Sequence, residues 1–180
     1  MLIIEEYKTL RDEIGRNQNL MAKTVQTGVA ISSGLVASSF FSENYGWILV
    51  FVPTLFLIPI VIHIANLCKK SWIIGRYIEF GLEPTLGFGW ETFTRQFFGD
   101  PKKSSHSKYS LTTALPLLTL QVFSPLFALI KYDKINYPLW AIFYIIALIL
   151  VLSEFLYLQN FTLKSESLNN IKETLKLIQK

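Results

Sequence analysis

Four apolar runs, at 24–41, 46–68, 110–130 and 138–158, dominate the chain. An α-helix rises 1.5 Å per residue, so about 20 residues cross the roughly 30 Å of hydrocarbon in a bilayer. Lipid offers no hydrogen bonds to a backbone, and runs of this length can satisfy their own N–H and C=O groups only as helices. The runs therefore predict an all-α membrane protein of four transmembrane helices. Composition agrees: 51% of the 180 residues are apolar and 17% are charged, against about 25% charged in ordinary soluble domains. The first run is the most polar, with Thr24, Gln26, Thr27, Ser32, Ser33, Ser38 and Ser39. It needs protein neighbours more than the other three do.

Charge placement orients the spans. Cytoplasmic segments carry an excess of Lys and Arg close to the membrane, and fifteen of the seventeen such residues fall in 1–23, 69–109 and 159–180. The connections at 42–45 and 131–137 hold none and two. Both ends and the central loop are thus expected inside. Connections this short reach only an adjacent helix, so the spans should form two antiparallel hairpins within one membrane unit. The acidic residues Glu5, Glu6, Asp12 and Glu13 argue against a cleavable signal at the start. The net charge of +4 follows this topology and forms no basic domain with stacking platforms, so no direct nucleic-acid partner is expected.

The inside segments have patterns of their own. Ile3, Tyr7, Leu10 and Ile14 share one helical stripe, as do Leu168, Ile171, Leu175 and Ile178 in the tail. These predict two amphipathic helices, either packed on each other beneath the membrane or used for self-association and for docking a cytoplasmic protein. The central loop carries Trp72, Tyr77, Trp90, Phe93 and Phe97, aromatics that favour the membrane interface. Residues 70–80 should extend the second span or lie along the bilayer, until Gly81, Pro84, Gly87 and Gly89 break the helix.

The element Glu6-Tyr7-Lys8-Thr9-Leu10-Arg11-Asp12-Glu13-Ile14 and the loop residues Tyr77-Ile78-Glu79-Phe80, Glu83-Pro84 and Gly89-Trp90-Glu91 resemble those of small four-span bacterial inner-membrane proteins. That resemblance implies an inner-membrane location. Some proteins of this kind are similar to membrane effectors or accessory proteins of antiphage and CRISPR-linked loci, and the resemblance carries no catalytic residues over.

Chemistry within the spans rests on few residues. His63 and Glu154 are ionisable groups inside apolar runs, where a charge costs about 2.5–3.5 kcal/mol on insertion scales. Counting residues puts both near the inner boundary, so they are expected to pair across the second and fourth spans or to share a wet vestibule, as a buried polar clamp or as a proton- or ion-linked gate. Gln121 lies between Pro116 and Pro125, which predict a kinked third span. In the first span Ala30-xxx-Gly34, Gly28-xxx-Ser32 and Ser33-xxx-Ala37 allow close helix approach. Its face of Gln26, Ala30, Ser33, Gly34 and Ala37 is a packing surface or the lining of an aqueous path in a homo-oligomer. No HExxH, GxSxG or P-loop occurs, and the single cysteine, Cys68, has no base beside it. An enzyme, a metal and a cofactor are therefore not expected. The favoured reading is a self-associating protein that forms or gates an ion-permeable assembly; the alternative is a non-conducting anchor that recruits a cytoplasmic partner.

Overall fold

A computed structural model describes residues 2–42, 46–87, 89, 105–131 and 137–160. Its elements are α1 (Leu2–Ser39), α2 (Gly46–Leu49), α3 (Val52–Tyr77), a π-helical turn (Ile78–Leu82), α4 (Glu83–Leu86), α5 (Ser105–Lys131) and α6 (Tyr137–Asn160). Among the described residues there is no strand. The tail stripe of Leu168, Ile171, Leu175 and Ile178, together with Trp90, Phe93 and Phe97, lies outside the described residues.

The amphipathic segment 1–23 and the first apolar run are not separate elements, because α1 passes through both in 38 residues. One seam explains the continuity. Ile3, Tyr7, Leu10 and Ile14 continue at spacings of three, four and seven into Asn17, Met21, Gly28, Ser32 and Ser39, and burial increases along this line. Ile3 is exposed, Tyr7, Leu10 and Ile14 are half-buried, and the rest are buried. The stripe read as a docking surface is thus the start of the seam that α1 buries against its own chain. Its outer part is tied down where the Tyr77 hydroxyl donates to Glu6 Oε1 at 2.8 Å.

The second run is interrupted within the expected span. Val50 and Phe51 turn out of the helix, and α3 restarts with Pro53 in its first turn, where a missing N–H leaves no bond unmade. Beyond Cys68 the helical path continues to Leu86 and passes Gly81 and Pro84 without a break. Gly81 falls inside the π-helical turn, and Pro84 opens α4. The stop is Gly87, whose φ of 72° is left-handed and whose N–H donates to Glu83 O at 3.1 Å.

The main core joins Met21 of α1, Leu57, Val61, Ile64 and Ala65 of α3, Ala114, Leu117 and Leu118 of α5, and Leu158 of α6. Cys68 lies in the same core, where its thiol donates to Met21 Sδ at 3.2 Å. A smaller aromatic cluster sits by the α2 turn, with Trp47, Val50 and Phe51 packed against Trp140 and Tyr144. Among the described residues three helices are long and apolar enough to cross a membrane: Gly46–Leu86, Leu111–Lys131 and Tyr137–Leu158. The last turns most of its surface outward, including Ile142, Ile145, Ile149, Leu152 and Leu156. An apolar surface of this extent marks contact with lipid or another protein.

Gly28 sets the closeness of α1. A Cβ there would meet Leu117 Cδ2 at 3.1 Å, Leu57 Cδ2 at 3.3 Å and Ile60 Cδ1 at 3.5 Å, whereas one at Gly34 would meet nothing within 4 Å. Gly28→Val should therefore destabilise the folded chain by about 1–3 kcal/mol, the usual cost of overpacking. Gly34→Val should lose much less in unfolding measured in mixed micelles. Equal losses would contradict this placement of α1.

Candidate functional site

The prolines of α5 create the site. Pro125 has no N–H to donate to Gln121 O, so that carbonyl loses its place in the helical ladder. Thr54 of α3 fills the gap, its Oγ1 donating to Gln121 O at 3.2 Å. Gln121 returns a bond, with Nε2 donating to Thr54 O at 3.1 Å. One turn away the Thr54 N–H bonds Phe51 O at 3.1 Å, which leaves Val50 O without its usual donor. Ser124 Oγ donates to it at 3.0 Å. The α2–α3 turn and the α5 kink therefore satisfy each other across one interface. The Pro125 carbonyl is taken up in turn by Trp140 Nε1 of α6 at 3.2 Å.

Gln121 also reaches the fourth run. Its Nε2 donates to Glu154 Oε1 at 3.2 Å, and both residues are buried. Glu154 shares the inward face of α6 with Ala147 and Leu158. From α1, Ser32 enters the same layer. Gly28 faces Leu57 and Leu117, and one further turn along each helix brings Ser32 level with Thr54 and Gln121. The parallel run of α1 and α5 is also seen at their ends, where Lys131 Nζ donates to Phe40 O at 3.0 Å and lies over the Phe40 ring. Four helices thus contribute Ser32, Thr54, Gln121 and Glu154 to one buried polar layer. Gln121 stands ten residues before the end of the Leu111–Lys131 span, or ~15 Å along the axis at 1.5 Å per residue, about half of a bilayer core.

The structure does not bring His63 and Glu154 together. His63 lies on the exposed stripe of α3 with Leu55, Pro59, Ile62 and Asn66, opposite the buried Leu57, Val61, Ile64 and Ala65. Residue counting set the two at matching depth, but Glu154 lies with Gln121 in the layer of Thr54, nine residues before His63 on α3, and the direction of each side chain around its helix depends on which stripe the neighbours occupy. Glu154 takes Gln121 as its partner because the α5 kink already commits that amide to the layer. Thr54 and Ser124 were not singled out from the sequence. The signal was present in the prolines, since each one implies a carbonyl that must find a donor elsewhere.

The small-residue face of α1 divides in two. Gly28 and Ser32 are the packed positions, while Gln26, Ala30, Ser33, Gly34 and Ala37 are all exposed. At the other end of α3, Arg76 is buried with its Nη1 donating to Glu79 Oε2 at 2.8 Å. Its guanidinium lies 5.3 Å from the Trp72 ring centroid and 5.6 Å from that of Phe80. Trp72 and Tyr77 are half-buried there and act as structural contacts of this end. Among the described residues no group of three His, Cys, Asp or Glu could hold a metal ion.

Comparison with protein-family models, with curated proteins and with solved structures gives no match. The functional reading therefore rests on the geometry above.

If Gln121 and Glu154 act together, Gln121→Leu and Glu154→Leu should each destabilise the fold, and the double variant should recover part of the loss. The expected coupling is about 1 kcal/mol, within the range for buried polar pairs in membranes. Additivity within about 0.3–0.5 kcal/mol in a double-mutant cycle would show that the pair is not coupled.

Proposed function

We propose that this chain is a self-associating membrane protein whose copies meet along α1 and form or gate an ion-permeable assembly. In this reading 24–41 of α1 is the fourth span, and both ends and the central segment face the inside, as the distribution of Lys and Arg favours. The proposed membrane is the bacterial inner membrane, on the resemblance of the leading and loop elements.

The exposed face of α1 carries the proposal. Gln26, Ala30, Ser33, Gly34 and Ala37 lie outward on a helix whose opposite face is buried, and Gly34 has open space where a side chain would stand. Gln and Ser side chains gain nothing from hydrocarbon, whereas a second small-residue helix can approach closely and pair with them. Around a closed ring of copies, the same polar face can line a water-filled path. The other spans are better lipid neighbours, with Ile145, Ile149 and Leu152 turned outward from α6.

One observation favours the second reading, an anchor that conducts nothing. Leu2 and Ile4 at the start of α1 are 83% and 50% exposed, an apolar end suited to a cytoplasmic protein partner.

Ion flux through proteoliposomes, measured beside the oligomer mass in detergent, separates the two. An assembly that conducts, and loses flux several-fold with Gln26→Leu or Ser33→Leu while the fold is kept, is the expected result. A monomer or dimer with no flux would move the assignment to the anchor.

A further inference from the structure

Three buried oxygens of the polar layer have no hydrogen-bond partner: Ser32 Oγ, Gln121 Oε1 and Glu154 Oε2. Their residues are 0%, 0% and 5% exposed. The Gln121 amide cannot be turned to relieve this, because its Nε2 already serves Thr54 O and Glu154 Oε1. Reversing it would set an oxygen against two acceptors. Gln121 Oε1 and Glu154 Oε2 accept only, so what satisfies them must donate a hydrogen or carry positive charge.

Among the described residues no positively charged group meets them, and the Ser32 hydroxyl makes no bond to them. Gln121 of α5 bonds Glu154, Thr54 of α3 bonds Gln121, and Ser32 of α1 stands at the same level; none of the three is charged. Among the described residues the other buried charged groups are Arg76, Glu79 and Glu83, which lie at the far end of α3 and the turns that follow it. His63 points away on the exposed stripe of α3, and Lys131 is held at the end of α5 against Phe40. A buried carboxylate without a counter-charge costs several kcal/mol. A single carboxylate calls for one unit of positive charge.

We propose that Ser32, Thr54, Gln121 and Glu154 form a binding site for one monovalent cation, a proton or a sodium-sized ion, held at Glu154. A proton on Oε2 converts that atom into a donor for Gln121 Oε1, so that the acid and the amide pair twice. A sodium ion instead takes Glu154 Oε2, Gln121 Oε1 and Ser32 Oγ as hard oxygen ligands. The sodium ion accounts for all three unpartnered oxygens and the uncompensated charge, and the proton accounts for the charge and for Gln121 Oε1 and Glu154 Oε2. The site does not depend on whether the chain conducts, and its test reads no flux.

The probe is dicyclohexylcarbodiimide, an apolar reagent that reacts with protonated carboxyls in water-poor sites, applied to the whole protein in lipid nanodiscs. Peptide mass spectrometry reads the adduct at Glu154. In the proton case, labelling in choline buffer is lost as pH rises and does not respond to sodium. In the sodium case, labelling at fixed pH is lost on adding sodium chloride and kept with choline chloride. Absence of label under every condition, or labelling indifferent to both pH and sodium, overturns the proposal. Glu154→Gln keeps the shape of the side chain and supplies its own donor, so it should fold and show a melting temperature independent of pH and sodium. A wild-type melting temperature equally independent of both would also overturn the site.

Discussion

Every backbone carbonyl in hydrocarbon must find a donor within the protein, and in this chain Pro125 removes one from the middle of a span. The repair is the exchange between Thr54 and Gln121, at 3.2 and 3.1 Å. It fixes α3 against α5 both axially and around their axes. Ser124 then caps the carbonyl left free by the Val50–Phe51 turn, so a break in one helix is matched to a kink in its neighbour. Once this interface is set, Leu57 and Leu117 face the same side and leave a slot in which Gly28 of α1 sits and any Cβ would be tight. The remaining amide hydrogen bonding of Gln121 draws in Glu154 and with it α6. Packing, polarity and the placement of the ionisable group thus follow from one missing N–H.

α1 has two different faces. Its seam, from Ile3 to Ser39, carries it along the extended α3 helix beneath and through the bundle, and this is why no boundary appears near residue 23. Its other face carries Gln26, Ser33 and small residues, too polar to match the three apolar helices. This half-packed, half-polar character is the ground for the proposed association between copies. The polar layer is separate from this face: it lies on the packed side, behind Ser32, and its oxygens point into the bundle.

The fold was readable where hydropathy alone decides it. The runs at 46–68, 110–130 and 138–158 correspond to the helices that are long and apolar enough to cross a membrane. Hydropathy alone does not place α1 among them, because it carries Thr24, Gln26, Thr27, Ser32, Ser33, Ser38 and Ser39. Helix breakers were harder to read than helix formers. Gly81 and Pro84 are absorbed by a π-helical turn and a first-turn position, whereas the break at Val50–Phe51 falls where the only nearby breaker is Pro53, two residues on. At the site, Glu154 was visible as a costly group and Gln121 as the polar residue between two kinking prolines, but their pairing was not, since it depends on helix rotation. His63 shows the same limit in reverse, correctly seen as costly and then found facing outward.

The most direct test of the account is the accessibility of α1 in a native membrane. Single cysteines introduced along 24–39 in a Cys68→Ala background would be treated with a membrane-impermeant maleimide. The account requires a helical alternation, with Gln26, Ala30, Ser33 and Ala37 labelled while Gly28 and Ser32 stay protected. Uniform protection would mean that the polar face meets no water and would contradict an aqueous path along α1. Labelling of Gly28 and Ser32 in place of the outer face would contradict the packing on which the fold is built.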